Sequence, residues 1–198
     1  QVPGTRRYRS LVRFAIFASE GGPVPDGANI TSARLSLYKY SAYNFTYRLR
    51  PLLADWLENQ VTWNQRAAGL PWAGPGATAL GADVAVNHDA EAVAPWAAGW
   101  VDFDVTGGVQ AIAYGRSNYG WMLEGVSGNS NLKKFRSSEY AADGALRPRL
   151  VITHSAGSGS PNEAPNVTLT APADGAAFTA GDAITLTAAA TDADGTVS

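Results

Sequence analysis

The sequence contains no cysteine among its 198 residues and only two histidines, His88 and His154, which lie far apart. The lack of cysteine excludes disulfide bonds, thiolate metal sites and a cysteine nucleophile. The short motifs that mark nucleophilic hydrolases, phosphate-binding loops and zinc proteases are also missing. We therefore predict a protein that is not an enzyme and has no catalytic residues.

Long apolar stretches are missing as well. No run approaches the roughly 20 residues of a membrane-spanning helix, so we predict no membrane span. The sequence does not open on a secretory signal, and Gln1 reads as the middle of a protein, so a signal could have been removed or lost upstream.

The charges are few and unevenly placed. All 15 lysines and arginines precede residue 150, together with 12 of the 17 acidic residues, so this part carries +3 and the rest −5. Basic residues alongside six tryptophans and eight tyrosines indicate an anionic or sugar-like partner. The sequence pI of about 5.6 argues against a nucleic-acid partner. The low charge and abundant glycine, threonine and serine favour an extracellular all-β protein.

Alternation of apolar and polar side chains predicts strands at 8–18, 32–40, 44–52, 100–105 and 118–125. Thr106 is placed to cap a short helix that ends at Gly115. Residues 64–99 are rich in alanine, glycine and proline, and we predict a long, weakly ordered connection there with one strand-like patch at Ala82–Val86.

The stretch from Leu132 to Ile152 predicts two more strands joined by a small-residue connection. In the first, Phe135 lies on one face and Lys134 and Arg136 lie on the other. In the second, alternation turns Leu150 and Ile152 inward and Arg149 and Val151 outward. Glu139 and Arg147 stand at the junction, where we predict an ion pair.

Seven motifs follow one another in order: Tyr8–Phe14, Ile30–Tyr38, Asp55-Trp56 with Thr62-Trp63-Asn64, Phe103–Thr106 with Val109-Gln110, Asn118–Gly120, Phe135–Glu139 and Arg147–Val151. Together they resemble the DNRLRE family, the disaggregatase-related domains, over about residues 6–154. The resemblance implies a jelly-roll β-sandwich in a secreted or cell-surface protein. Related domains are classed as carbohydrate-binding modules, and some are similar to alginate binders.

The domain prediction has three parts. Residues 1–154 form the all-β jelly-roll sandwich with one short helix, 155–165 a flexible linker, and 166–198 the N-terminal part of an Ig-like module. Members of the resembled family usually have a further strand before the segment that matches Tyr8. Either the N-terminus is cut, or the missing strand leaves an open sheet edge, which would favour strand exchange with a neighbouring domain or subunit.

The candidate ligand-binding residues project from the strand faces that point away from the predicted core. Guanidinium groups pair bidentately with carboxylates, so a basic groove would suit an acidic polysaccharide if these strands share one sheet. Exposed tryptophan and tyrosine rings offer stacking surfaces for sugars. The alternatives are a merely solvated strand face and aromatic rings that only cover the sandwich. The candidates are Arg34, Tyr38, Arg48, Arg50, Lys134, Arg136, Trp72 and Trp96, with Tyr40 and Tyr43 as further aromatic residues.

Two acidic residues suggest a metal. Asp102 and Asp104 share an outward face, and carboxylates are preferred calcium ligands, so we predict a structural calcium site there. No other cofactor is expected. By contrast, Trp56, Trp63, Phe103 and Phe135 are predicted to lie in the core, because large aromatic side chains dominate cores.

These features favour a non-catalytic module of a larger secreted or cell-surface protein that binds a polysaccharide, possibly beside a polysaccharide-degrading enzyme. One alternative is a structural subunit of an extracellular filament or surface assembly that a neighbour's strand completes. The other is a polysaccharide lyase or hydrolase with Asp55 and Glu58 as its acid and base.

Overall fold

The computed structural model describes residues 8–126, 133–156 and 166–191. Its strands are β1 Ser10–Val12, β2 Asn29–Lys39, β3 Phe45–Pro51, β4 Gln65–Ala67, β5 Leu70–Pro71, β6 Ala90–Ala94, β7 Gly99–Asp104, β8 Trp121–Gly125, β9 Arg149–Ser155, β10 Asn166–Ala171 and β11 Thr187–Thr191. Helix α1 spans Thr106–Ala113, and short 3-10 turns lie at Ala18–Glu20 and Gly144–Leu146. Among these residues, no helix is long and apolar enough to cross a membrane.

Two antiparallel sheets enclose the main core. One has the strand order β1-β8-β3-β6, and the other has the order β7-β2-β9. Leu35 of β2, Leu49 of β3, Phe103 of β7 and Trp121 of β8 are fully buried between them. Burial of such side chains is the main force that holds two sheets face to face. The prediction of an all-β sandwich with one short helix is confirmed.

Helix α1 closes one end of the second sheet. Its first residue, Thr106, accepts a hydrogen bond from the Ala33 N–H (2.9 Å) and donates one from its hydroxyl to Asp104 (2.6 Å). Asp104 also accepts from the Thr106 N–H (3.0 Å). The predicted N-cap at Thr106 is wrong, because the N-cap residue is Val105, which makes no side-chain capping bond. Gln110 accepts from the Ile30 N–H (2.6 Å), which fastens the helix to β2.

A second core lies outside the four-stranded sheet, where residues 52–86 fold across it. Leu52, Trp56, Trp72 and Val84 pack there against Met122 of β8. The buried Asp83 carboxylate holds the segment by accepting three backbone N–H bonds, from Ala73, Gly74 and Ala79. The prediction of a weakly ordered connection is therefore wrong. So is the strand at 82–86, where Val84 makes only isolated bridges to Leu52 and Leu80.

The segment at 133–136 and strand β9 lie in line along one side of β2. Phe135 bridges to Lys39, the Arg136 N–H donates to the Tyr38 carbonyl (3.0 Å), and β9 takes over at the Ser36–Arg149 pair. Residues 137–148 leave the sheet between these two points. The predicted first strand is thus reduced to a bridge, and Leu132 lies outside the described residues.

The predicted contact between Glu139 and Arg147 in this loop is not formed. The Arg147 guanidinium donates through Nε to the Tyr140 carbonyl at 2.9 Å. Within the described residues, no ion pair joins it to Glu139, so the predicted pair is wrong. Strand β1, at the edge of the four-stranded sheet, has only three residues. Strand exchange at an open edge stays a prediction.

Residues 166–191 contain one antiparallel pair, β10 and β11, in which Val167 lies opposite Ala190. This matches the predicted start of an Ig-like module, for which two or three strands were expected. Most of the predicted linker, residues 157–165, lies outside the described residues.

Candidate functional site

Cross-strand register brings aromatic and basic side chains together on the outer face of the three-stranded sheet. On β2, alternation points Leu35 and Leu37 into the core, so Ser36 and Tyr38 point outward. Tyr38 lies opposite Trp100 of β7, and Ser36 lies opposite Arg149 of β9. We call this surface the arginine–aromatic face; it comprises Tyr38, Tyr40, Trp100, Arg136, Tyr140 and Arg149.

Two guanidinium groups stack on rings within this face. The Arg149 guanidinium carbon lies 4.1 Å from the centroid of the Trp100 ring, and Tyr38 meets that ring edge-on at 5.3 Å. The Arg136 guanidinium lies 4.0 Å from the Tyr40 ring and 3.9 Å from the Tyr140 ring. Each contact attracts a cation to the negative face of an aromatic ring, which is worth roughly 0.5–2 kcal/mol.

Arg136 is held by its rings more than by hydrogen bonds. Its Nε is buried and has no hydrogen-bond partner among the described residues. Leaving a buried N–H unpaired costs free energy, so the two stacked rings must offset that cost. Nearby Lys134 is exposed, and its backbone N–H donates to the Ser41 hydroxyl at 3.0 Å. This part of the face is therefore cationic, aromatic and open to solvent.

Two acidic residues of β7 lie on the same outer surface, and the nearer one, Asp102, lies across Ser36 from Arg149. Asp104 lies across from Arg34, and Asp102 accepts a hydrogen bond from the buried Ser36 hydroxyl. Hydrogen bonds from the Thr106 side chain and backbone hold the pKa of the Asp104 carboxyl below its usual range. Among the described residues, no three acidic or histidine side chains converge. Calcium binding by Asp102 and Asp104 stays a prediction.

The model of carbohydrate-binding module family 96 matches residues 2–154, and that of a bacterial Ig domain matches residues 165–198. The chain belongs to carbohydrate-binding module family 96. No curated protein and no solved structure matched it. The family assignment agrees with the resemblance that the ordered motifs carry.

In this family 96 module, the predicted arginines do not form one groove. Arg34 and Tyr38 lie on β2, whereas Arg48 and Arg50 lie on β3 in the other sheet. The condition that these strands share a sheet is therefore not met. Arg48 pairs with Glu91 and Arg50 with Glu124, each at 2.6 Å, so both positive charges are neutralised locally.

The predicted tryptophans occupy two further places in the module. Trp72 is only 5% exposed and belongs to the second core. Trp96 is 63% exposed and meets Tyr43 edge-on at 4.9 Å, at the end of the sandwich.

The core prediction for four aromatic residues is wrong for one of them. Trp63, which we predicted to be buried, is 39% exposed. Trp56 and Phe103 are buried, and Phe135 packs against the core, as predicted.

A buried lysine positions the loops that carry Tyr43 and Trp96. The Lys39 side chain points inward from β2, and its amino group donates to the carbonyls of Ser41, Tyr43 and Trp96. Burial, helped by the nearby charge of Lys133, lowers the pKa of Lys39. Tyr43 has a φ of 74°, an uncommon backbone conformation for this residue type.

Three members of the arginine–aromatic face were not singled out from the sequence as ligand-binding residues. They are Trp100, Tyr140 and Arg149. The outward position of Arg149 was predicted from alternation, but its neighbour across the sheet was not. To identify these residues, one would have to know the strand register, which places Trp100 of β7 and Arg149 of β9 on either side of β2.

Proposed function

We propose that this module binds an acidic polysaccharide through the arginine–aromatic face and has no catalytic role of its own. The observation that supports this most is the pair of guanidinium groups, Arg136 and Arg149, each stacked on aromatic rings of one outer face. Lys134 adds a third positive charge. Of the two acidic residues on the same surface, Asp102 lies across Ser36 from Arg149, and Asp104 lies one row further away.

Stacking prepares these arginines for carboxylate groups. A guanidinium group whose flat face rests on a ring still presents N–H donors along its edge, where a carboxylate accepts two parallel hydrogen bonds. The ring also restrains the side chain, so less conformational entropy is lost on binding. The exposed Tyr40 ring and the half-buried Trp100 ring supply apolar contact for the sugar rings between carboxylates.

The proposed biological role is tethering. A bound module keeps whatever is attached to it at high effective concentration near the polysaccharide. A role in a secreted or cell-surface protein is supported by the family and by the adjoining bacterial Ig domain, a combination typical of extracellular proteins.

The geometry offers little to the alternative of a lyase or hydrolase. The Asp55 carboxylate pairs with Arg13 at 2.6 Å and accepts the Trp56 N–H at 2.8 Å, so it is held in a structural contact. A carboxylate held in an ion pair and a backbone hydrogen bond of this kind is a poor candidate for a general acid.

The test is isothermal titration calorimetry of the full chain with polygalacturonate, with the carboxyl-reduced polymer as the neutral comparison. We expect binding to the acidic polymer that weakens steeply with added salt. Arg149→Ala and Arg136→Met should each lower the affinity about tenfold, in the range seen for interface arginines. The control Arg48→Ala removes an arginine that is ion-paired on the opposite sheet and should leave affinity unchanged.

Two results would overturn the proposal. One is the absence of binding to polygalacturonate and to other acidic polysaccharides. The other is an equal loss of affinity in Arg48→Ala and Arg149→Ala, which would show that net charge alone, and no particular face, attracts the polymer.

A further inference from the structure

A cleft of about 360 Å³ lies on the other side of the sandwich, between β1 and the segment that crosses the four-stranded sheet. Its walls include Arg9, Leu11, Trp56, Glu58, Trp63 and Trp72. The volume falls near the lower end of ligand pockets in proteins, which span roughly 300–1,000 Å³. Three tryptophans around one small cleft are a large share of the six in the chain.

Two of these tryptophans form fixed walls. The Trp56 indole donates to the Tyr119 carbonyl at 2.8 Å, and the Trp72 indole donates to the Thr62 carbonyl at 3.1 Å. Both side chains are buried in the second core. Their polar atoms are therefore satisfied within the protein, and they present apolar surface to the cleft.

Trp63 differs from them in exposure. Its side chain is 39% exposed, and no hydrogen bond from its indole N–H occurs within the described residues. The ring rests directly on Gly76, where an added methyl group would lie 2.6 Å from the indole carbons. Gly76 has a φ of 76° and donates its N–H to the Trp63 carbonyl. The exposed ring is thus positioned by a turn that only glycine adopts without strain.

The charges of the cleft differ from those of the arginine–aromatic face. The Arg9 Nη1 group donates to the carbonyls of Gly76 (2.7 Å) and Ala77 (3.2 Å), which fastens the turn under Trp63. Glu58 is exposed and has no ion-pair partner in the part of the chain that the structure describes. An unpaired carboxylate repels an acidic sugar and accepts hydrogen bonds from the hydroxyl groups of a neutral one.

We infer that this cleft is a second carbohydrate-binding site, which takes an uncharged sugar residue stacked on Trp63 with its hydroxyl groups bonded to Glu58. The inference does not depend on the acidic ligand proposed for the other face. The two sites lie on opposite outer faces of the sandwich, so one module can contact two glycan chains at once. Binding in the cleft should respond little to salt, because no charge of the ligand is neutralised.

The test is tryptophan fluorescence and calorimetry of the full chain with cellohexaose, xylohexaose and mannohexaose. We expect at least one of these neutral oligosaccharides to bind and to change tryptophan emission, with the same affinity at low and high salt. Trp63→Ala should lower that affinity at least about tenfold, as truncation of a central aromatic residue commonly does. Trp63→Phe should retain most of it, and Glu58→Gln should lower it several-fold.

Matched controls separate the two sites. Trp96→Ala removes an exposed tryptophan outside the cleft and should leave oligosaccharide binding unchanged, as should Arg149→Ala. Failure of all three oligosaccharides to bind would overturn the inference, and so would wild-type affinity in Trp63→Ala. Polygalacturonate binding by Arg149→Ala tests only the arginine–aromatic face. The two proposals can therefore be refuted independently.

Discussion

The guanidinium group of Arg136 lies 3.9 Å from the centroid of the Tyr140 ring, and this contact joins a surface loop to the sheet it has just left. Arg136 is paired with β2 through its backbone, whereas Tyr140 belongs to residues 137–148, which lie outside the ladder. The loop therefore supplies one of the two rings between which the arginine is held. Its conformation and the position of the positive charge are linked.

Removal of this ring should weaken the binding of an acidic polysaccharide. We expect Tyr140→Ala to lower affinity for polygalacturonate about two- to fivefold, because an exposed cation–π contact is worth about 0.5–1 kcal/mol. Tyr140→Phe keeps the ring and should bind as the wild type does. Calorimetry on the two variants checks this; equal losses would mean that the hydroxyl group, and not the ring, matters.

The buried hydroxyl of Tyr47 should make its replacement stabilising. This hydroxyl has no hydrogen-bond partner among the described residues, and burial raises the pKa of Tyr47 well above its usual value. We expect Tyr47→Phe to raise the free energy of unfolding by about 1 kcal/mol at neutral pH, because an unpaired buried polar group is removed. Urea denaturation measures this change.

The same substitution should alter the response to alkaline pH. A tyrosine in the unfolded chain loses its proton at about pH 10, whereas Tyr47 in the folded protein keeps its proton to higher pH. The folded state therefore binds more protons there, and wild-type stability falls as pH rises above about 10. Tyr47→Phe should show a shallower fall, because it removes the group whose pKa burial raises. An identical slope in Tyr47→Phe and wild type would contradict the expectation.

Loss of the buried amine should loosen the end of the sandwich. Lys39→Met removes the donor that three carbonyl groups share, and hydrogen bonds from charged groups contribute about 1.5–3 kcal/mol each. We expect a loss of about 3 kcal/mol in the free energy of unfolding and greater mobility of Trp96, seen as faster fluorescence quenching by acrylamide. Lys134→Met, at an exposed lysine, is the control; a comparable loss there would assign the effect to net charge.

A close backbone approach should make Gly120 irreplaceable. Gly120 has a φ of 76°, and an added methyl group would collide with the Val12 carbonyl oxygen. We expect Gly120→Ala to cost about 3 kcal/mol or more, since strain in the left-handed region adds to a clash with rigid backbone. Gly115 has a φ of 103° and open space around it, so Gly115→Ala isolates the backbone strain alone. Thermal unfolding measures the loss of stability in each variant. The excess loss in Gly120→Ala over Gly115→Ala is the contribution of the clash with Val12.

The local pattern of the strands could be read from the sequence because burial imposes a period of two. Alternation placed Leu150 and Ile152 against the core and left Arg149 and Val151 outside, as the structure has them. In the structure the same alternation turns Lys39 inward, although a buried lysine is uncommon. The structure explains this by the three carbonyl groups around the amine, which lie in loops that no strand pattern describes.

The binding face could not be assembled in the same way. Which side chains meet across a sheet depends on strand order and register, and these are set by contacts between distant segments. The sequence grouped Arg48 with Arg34, but β3 and β2 belong to opposite sheets. Trp63 was expected in the core because it is large and aromatic, yet the turn at Gly76 carries it to the rim of a cleft.

The excursion of residues 137–148 from an otherwise aligned strand has a practical consequence. Backbone pairing with β2 fixes the chain on both sides of this loop, at Phe135 and at Arg149. The loop can therefore be lengthened or exchanged without shifting the strand pairing. Lengthening a surface loop costs little entropy, because the closure term grows only with the logarithm of its length. The loop is therefore a natural grafting point, where new side chains could be set beside Arg136 to retune which glycan the domain selects.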